Sequence, residues 1–263
     1  MSDIPPETWA VAAAYDAYVG RWSRPVAAEF LRRLALAPGL RWLDVGCGTG
    51  ALTSRILALT DPAGVVGLDP SAQFLGTARR QTAGDQARFL VGDAQALPVA
   101  ARSVDAVVSG LALNFVPDPR RAVAEFARVT VGGGTVAAYV WDYADRMTMI
   151  RTFWDAAVGL DPDAAPQDEA RRFPLCHPEP LGALWTDAGL ADVTVTPIDV
   201  PLRFVSFDDY WEPFLGGQGP APGYVRTLSP ERRRALRGML AEQLGAGPVT
   251  LTGGAWTVRG RVG

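Results

Sequence analysis

The segment Trp42-Leu43-Asp44-Val45-Gly46-Cys47-Gly48-Thr49-Gly50 decides the fold of this chain. Its first half is apolar enough for a buried strand, and its second half has glycine at every other position. Glycine lacks a Cβ atom, so it adopts positive φ readily and lets a ligand or another backbone come close. A helix-forming run from Ala51 to Leu59 follows at once. Strand, glycine turn and helix in this order are typical of the nucleotide-binding edge of an open α/β sheet.

The glycine spacing differs from that of a dinucleotide-binding turn. The dinucleotide fingerprint is G-x-G-x-x-G, whereas Gly46, Gly48 and Gly50 form G-x-G-x-G, with the acid Asp44 at the entry. This arrangement resembles motif I of the class I S-adenosylmethionine-dependent methyltransferases, in the small-molecule branch of the ubiquinone and menaquinone type. The resemblance implies that the turn, including Cys47, lies against the methionine end of S-adenosylmethionine, where there is no phosphate to bind.

A second acidic residue follows the next predicted strand. The apolar run Val65–Leu68 is suited to a buried parallel strand and ends in Asp69-Pro70. An acid at the carboxyl end of the second strand can accept hydrogen bonds from both ribose hydroxyls. The alternative is that Asp69 caps the helix predicted from Ser71 to Arg80, although Ser71 can supply that cap itself.

The third and fourth predicted strands are Ala87–Val91 and Val104–Gly110. The first of them ends in Asp93-Ala94, which resembles the family's adenine motif. The resemblance implies that Asp93 accepts the exocyclic amino group and that the N–H of Ala94 meets a ring nitrogen; the alternative is an exposed loop aspartate. After the fourth strand, the resemblance implies a cofactor contact at Ser109, Gly110 and Leu111, and a methyl-transfer pocket lined by the segment from Leu111 to Val116.

The N-terminal segment Tyr15-Asp16-Ala17-Tyr18-Val19-Gly20-Arg21-Trp22-Ser23 resembles the part of the family that folds over the cofactor. This implies that Tyr18 and Arg21 line the site and that Arg21 pairs with the methionine carboxylate, since a guanidinium matches a carboxylate fork. The alternative is that the aromatic residues are ordinary core and that Arg21 is a solvated charge. We predict two helices here, the second from about Arg24 to Leu36 with Pro25 in its first turn.

His177 is the single histidine and the candidate general base, because its free pKa suits proton abstraction near neutrality. The structural alternative is that it precedes a helix-starting proline in an extended conformation and faces solvent. Tyr139, Asp142 and Tyr143 are lesser candidates for the same role.

Composition excludes several classes of protein. The formal net charge of −3 and the pI near 5.3 supply no basic field for a nucleic-acid partner. Two cysteines are too few for a disulfide scaffold and have no metal-ligand spacing. With no signal peptide and no apolar run long enough to span a bilayer, we expect a cytoplasmic protein with neither a membrane partner nor a metal.

The alternation of elements predicts an α/β fold, a Rossmann-like sheet of seven mostly parallel strands with helices on both faces, an antiparallel last strand and helical lid inserts. The sixth strand, Ala191–Leu202, is predicted to pair antiparallel at an edge. A Gly/Pro loop is predicted between the two helices of the second insert. We predict one domain over 1–263, divided into cofactor-covering helices, a cofactor-binding core and two lid inserts: 1–36, 37–141, and 142–180 with 204–247.

The predicted activity is methyl transfer from S-adenosylmethionine to O, N or C of a small-molecule acceptor. One alternative is a non-methylating reaction of the same fold, cyclisation or decarboxylation, with the cofactor retained. Another is a binding protein without turnover. An oxidoreductase is disfavoured by the glycine spacing. The acceptor and the oligomeric state are left open.

Overall fold

The computed structural model describes residues 16–82, 86–216 and 219–263. These residues form two compact units. We call one of them the core unit, which comprises 23–142, 174–198 and 255–263. We call the other the second unit, and its described residues fall within 16–22, 143–173 and 199–254.

The strands of the sheet are β1 (Arg41–Val45), β2 (Gly64–Asp69), β3 (Ala87–Val91), β4 (Val104–Gly110), β5 (Thr130–Trp141), β6 (Ala191–Phe204) and β7 (Val249–Arg261). They are hydrogen-bonded in the order β3-β2-β1-β4-β5-β7-β6. The strand order reverses between β1 and β4, and in open α/β sheets ligands bind at the carboxyl ends of the strands at such a reversal. The glycine turn after β1 is at this position.

The orientation of the strands agrees with the prediction. β1 to β5 pair in parallel, and β7 runs antiparallel to β5. Along β6, Thr196 lies opposite Thr257 of β7 and Leu202 lies against Gly253, so the two strands run in opposite directions. The predicted fold class, including the antiparallel edge pairing of β6, is confirmed.

The helices are α1 (Arg21–Leu34), α2 (Ala51–Leu59), α3 (Ala72–Gln81), α4 (Pro119–Val129), α5 (Thr148–Leu160), α6 (Glu169–Arg172), α7 (Pro178–Asp187), α8 (Phe207–Trp211), α9 (Pro220–Thr227) and α10 (Pro230–Leu244). Along β5, Ala138 belongs to the apolar core shared with α4 and α7, while the ring of Tyr139 packs on Phe30 of α1. Helices therefore cover both faces of the sheet. Within the described ranges, no helix has the length and apolar character needed to cross a membrane.

Two local predictions were wrong, both at prolines. Pro25 lies inside α1, which begins at Arg21 and follows a π-helical turn, Asp16–Gly20. The predicted Gly/Pro loop contains α9, whose first residue is Pro220. Proline is tolerated at the first position of α9 because the N–H that it lacks would have no partner there, whereas Pro25 is the fifth residue of α1. The part of the first predicted N-terminal helix that precedes Asp16 lies outside the described residues.

β7 continues without a break through Gly253 and Gly254. A Cβ atom on Gly254 would lie 2.0 Å from the Cβ of Arg146, and one on Gly253 would lie 2.6 Å from Leu202. The glycines therefore allow Arg146 and Leu202 to pack closely against β7. The division of the chain into one domain with two lid inserts stays a prediction.

Candidate cofactor site

Backbone hydrogen bonds attach the glycine turn to the end of β2. The N–H groups of Gly46 and Cys47 both donate to the carbonyl oxygen of Leu68, at 2.7 and 3.0 Å. The N–H of Gly50 then donates to the carbonyl of Cys47 at 2.9 Å, which closes the turn before α2. The carboxyl ends of β1 and β2 are thus held together.

The three glycines of the turn have different surroundings, although all have positive φ. A Cβ atom on Gly46 would lie 2.4 Å from the Cβ of Ala112, and one on Gly50 would lie 3.2 Å from the Cβ of Ala78. Gly48, with φ of 54°, has no atom within 4 Å of the position that a Cβ would take. Gly46 and Gly50 therefore serve close packing, whereas Gly48 faces open space that a ligand can fill.

Asp69 joins the glycine turn to the start of α3. Its Oδ2 accepts a hydrogen bond from the N–H of Gly48 at 2.9 Å, and its Oδ1 accepts one from the N–H of Ser71 at 2.8 Å. Burial raises the pKa of the Asp69 carboxyl, and these two hydrogen bonds oppose that rise. The N-cap of α3 is Ser71, whose hydroxyl accepts from the N–H of Phe74, so Asp69 is not the cap. Pro70, beside it, is exposed.

The end of β3 lies next to Asp69. The N–H of Gly92 donates to the carbonyl oxygen of Asp69 at 3.3 Å. One residue further, the exposed carboxylate of Asp93 accepts hydrogen bonds from the backbone N–H and the side-chain amide of Gln95. The backbone hydrogen bond from Gln95 is the main cause that lowers the pKa of Asp93. Ala94 packs against the apolar core.

Asp44 is enclosed within the core unit, with no exposed surface. The hydroxyl of Thr53 donates to its Oδ2 at 2.6 Å, and its Oδ1 has no hydrogen-bond partner in the described part of the chain. Burial raises the pKa of Asp44 to about 7, and the nearby charge of Asp69 adds to the rise. Burial also raises the pKa of the Cys47 thiol. The entry to the turn is thus acidic.

The end of β4 is closely packed. Ser109 is buried, and a Cβ atom on Gly110 would lie 2.5 Å from the hydroxyl oxygen of Tyr139. Leu111 follows with φ of 60°, and its N–H donates to the carbonyl oxygen of Tyr139 at 2.8 Å. Tyr139 therefore supports the backbone at this edge. Its role as a base stays a prediction, as does that of the buried Asp142.

Two of the predicted cofactor residues belong to the second unit. The ring of Tyr18 is buried and meets Phe214 edge-on at 5.4 Å. Arg21 donates through Nη1 to Asp209 at 2.7 Å, and its guanidinium lies over aromatic rings. The Nε and Nη2 atoms of Arg21 are enclosed and have no partner among the described residues. Arg21 is therefore not the fully solvated charge of the alternative interpretation.

His177 is exposed and forms the N-cap position of α7, in an extended conformation directly before Pro178. Its side chain makes no capping hydrogen bond. This is the environment that the structural alternative describes, and its role as a base stays a prediction. Tyr143, in the second unit, is buried against Phe173.

Sequence reasoning missed two supporting residues. Thr53 orients Asp44, and Gln95 holds Asp93. An aspartate followed two residues later by a polar side chain indicates a local side-chain turn, which was a usable signal for Gln95. Thr53 has no such signal, because it meets Asp44 only when α2 packs on β1.

Residues 43–138 match the family model described as a methyltransferase domain. A demethylmenaquinone methyltransferase from Roseiflexus castenholzii is 34% identical over 170 residues, which cover 59% of this chain and 69% of the relative. The chain belongs to the class I methyltransferase family. This is the family that the glycine turn resembles, and the parallel pairing of β1 with β2 and of β2 with β3 brings the turn, Asp69 and Asp93 to the same edge of the sheet.

Other similarities are more limited in identity or in length. A malonyl-[acyl-carrier protein] O-methyltransferase from Pectobacterium atrosepticum is 43% identical over 109 residues, covering 40% of this chain and 42% of that protein. The crystal structure of the [4+2]-cyclase SpnF superposes with a TM-score of 0.58 and 20% identity, covering 99% of this chain and 89% of that one. The structural similarity shows a shared fold alone, so the reaction must be argued from the site.

Proposed function

We propose that this methyltransferase binds S-adenosylmethionine at the carboxyl ends of β1, β2 and β3 and methylates a small-molecule acceptor. The observation that carries the proposal is the 2.9 Å hydrogen bond from Gly48 to Asp69. It places the open face of the glycine turn beside a carboxylate suited to a ribose diol. Asp69 retains lone pairs on both oxygens after accepting from the backbone, so it can accept from both hydroxyls as well.

The charge of the site supports this cofactor over a dinucleotide. Asp44 and Asp69 lie close enough for the charge of one to raise the pKa of the other. The charge of Asp69 beside the glycine turn repels a pyrophosphate, whereas it attracts the sulfonium and ammonium groups of S-adenosylmethionine. The negative turn is therefore suited to the methionine end.

The remaining residues would orient the cofactor. Asp93, held by Gln95, would accept the adenine amino group, and the N–H of Ala94 would donate to a ring nitrogen. S-adenosylmethionine supplies an electrophilic methyl group when bound. The chain then contributes by holding an acceptor atom in line with that methyl and by excluding water, so positioning provides most of the rate.

Arg21 is the proposed ligand of the methionine carboxylate. Its unpartnered Nε and Nη2 form the edge of the guanidinium with which Arg41 holds Asp105 in this chain, at 2.9 and 2.8 Å. Arg128 uses the same edge toward Glu125. Two donors in a planar fork match the two oxygens of a carboxylate. A carboxylate ligand would therefore accept hydrogen bonds from both Nε and Nη2 of Arg21.

Isothermal titration with S-adenosylhomocysteine tests the cofactor assignment. Wild type is expected to bind, and Asp69→Ala to lose at least tenfold in affinity because the diol loses its acceptor. Asp105→Ala is the matched control, since it removes a carboxylate at the start of β4, where Asp105 pairs with Arg41. Absence of binding in the wild type would refute the cofactor assignment.

The same titration with 5′-methylthioadenosine, which lacks the amino-acid part, tests Arg21. Arg21→Leu is expected to weaken S-adenosylhomocysteine and leave 5′-methylthioadenosine unchanged. Arg237→Leu is the control, because Arg237 also pairs with an aspartate and lies over an aromatic ring in the second unit. A variant that weakens both ligands equally would remove Arg21 from the carboxylate site.

The acceptor is proposed to be a small molecule, as for the relatives named for quinone substrates, with no nucleic acid and no membrane as partner. Mass spectrometry of the product separates methylation, which adds one methyl group, from the cyclisation or decarboxylation alternative. The cytoplasmic location stays a prediction.

A further inference from the structure

The turn after β4 holds its backbone in an uncommon conformation. Leu111 has φ of 60°, in the left-handed region that residues with a Cβ atom seldom adopt. Its side chain is buried, and its N–H is bonded to Tyr139. Strain of this kind persists where the surrounding structure enforces it, and it clusters at ligand sites.

The residues after Leu111 pack directly on the glycine turn. A Cβ atom on Gly46 would overlap the Cβ of Ala112, at 2.4 Å, so the two backbones are in close contact. Ala112 leads into the short 3-10 helix Leu113–Phe115. Asn114, in the middle of that helix, is two residues along the chain from Ala112, which contacts the turn assigned to the methionine end of the cofactor.

Asn114 is the single asparagine of the sequence, and its side chain has an unmade hydrogen bond. Its Oδ1 is enclosed and has no partner in residues 16–82, 86–216 and 219–263. An enclosed amide oxygen without a donor is unfavourable, and such a group calls for an explanation. Asp69, at the same edge, differs from Asn114 because both of its side-chain oxygens accept hydrogen bonds from the backbone. A donor on a bound acceptor would satisfy Asn114.

We propose that Asn114 binds the acceptor, its Oδ1 accepting a hydrogen bond from a hydroxyl or amine on, or next to, the atom that receives the methyl group. This inference rests on the proposed function. An ionised carboxylate has no proton to donate, and it would bring negative charge against the amide oxygen. The substrate class is therefore hydroxyl-bearing or amine-bearing molecules, hydroquinones included, in preference to carboxylates.

In the reaction, the acceptor atom forms a bond to the methyl carbon as the carbon–sulfur bond breaks. The proton that the acceptor loses passes to solvent. Asn114 stays neutral, because a side-chain amide does not titrate in this range, and it contributes by orienting the acceptor lone pair toward the methyl group.

The test measures discrimination between donors and their methylated counterparts on protein saturated with S-adenosylhomocysteine. The first pair is naphthohydroquinone, kept reduced, and its dimethyl ether; the second is phenethylamine and its trimethylammonium derivative. Wild type is expected to favour the donor in one of the pairs by about tenfold, the effect of one well-made hydrogen bond. Asn114→Leu is expected to abolish the preference, and Asn114→Asp, which keeps an accepting oxygen, to retain it.

Thr60→Val is the control, since it removes a half-buried hydroxyl at the end of α2 and is expected to keep the preference. Equal affinity of the wild type for both members of each pair would overturn the proposal, as would an unchanged preference in Asn114→Leu. S-adenosylhomocysteine binding, measured in the same proteins, tests the cofactor assignment separately from the role of Asn114. Asn114→Leu is expected to bind it as wild type does, and only a wild type that fails to bind it counts against the proposed function.

Discussion

The carboxyl edge of the core unit and the interior of the second unit differ in how their buried carboxyl groups are paired. At the carboxyl edge, Asp44 is enclosed with one oxygen unpaired, and burial raises the pKa of both Asp44 and Asp69. In the second unit, the buried Asp168 pairs with Arg151 at 2.7 Å, and Glu169 accepts from the indole of Trp154.

The aromatic packing of the second unit continues this contrast. Phe153 and Phe214 are stacked at 4.5 Å, and Tyr210 donates its hydroxyl proton to the carbonyl of Met149. The buried carboxyl groups of this interior, Asp168 and Glu169, thus have partners within the unit. The carboxyl groups with unfavourable burial lie at the proposed ligand site, while those of the second unit are paired. The comparison indicates which substitutions should affect stability and which should affect binding.

Phe153→Ala tests the aromatic interior of the second unit and should have the largest effect on stability. Its ring is fully buried and stacked on Phe214, so its loss should lower the free energy of unfolding by about 3–5 kcal/mol. Urea denaturation measures the change. Leu59→Ala, at an exposed position of α2, is the control and should change stability by less than about 0.5 kcal/mol. Equal losses in the two variants would contradict the interpretation of the second unit.

Asp44→Asn tests the unpaired acid. Because its pKa in the folded protein is raised to about 7 from 3.8, the folded state holds a proton that the unfolded state releases between these values. Stability should therefore fall as pH rises from about 4 to 7, and the variant should lack this fall. At pH 8 it should be more stable than wild type by roughly 2–4 kcal/mol, measured by urea denaturation.

Asp105→Asn is the control with the opposite sign. Arg41 lowers the pKa of Asp105, so its contribution to stability is present above the ordinary aspartate pKa and is lost as pH falls below it. Removing Asp105 should reduce stability at pH 8. A pH profile of Asp44→Asn that parallels wild type would show that the acid is not strained by burial.

Gly48→Ala should have the smallest effect on stability and a specific effect on binding. Gly48 and Gly39 both have positive φ and open space at the Cβ position, so alanine at either should cost about 1–2 kcal/mol of backbone strain. Only Gly48→Ala should lower the affinity for S-adenosylhomocysteine, by at least tenfold, because its methyl group occupies the ligand's space. Similar affinities in the two variants, by isothermal titration, would argue against a ligand at this turn.

Elements with strong local signals were predictable to the residue. β3 and β4 begin and end at the predicted residues, Ala87–Val91 and Val104–Gly110. The helix around Pro25 and helix α9 were not predicted correctly. A proline near the start of a helix and a proline in a loop have the same local sequence signal. The continuation of β7 through Gly253 depends on Leu202, a residue about fifty positions away.

The candidate site also has features that the sequence predicted and contacts that only the structure shows. The glycine pattern and the acids after successive strands are local features, and they identified the family before any contact was known. The partners of these residues were not predictable, because the bonds from Gly48 to Asp69 and from Thr53 to Asp44 form only between packed elements. The enclosed oxygen of Asn114 likewise exists only in the folded turn.

The sequence by itself determined that a parallel sheet would carry a glycine turn and two acids at one edge, since strand period and turn chemistry are encoded within a few neighbouring residues. Only the tertiary structure decided which glycine stays open, which carboxyl group is strained and which amide lacks a partner. These properties depend on burial and on contacts between residues far apart in the chain, and a local pattern contains neither.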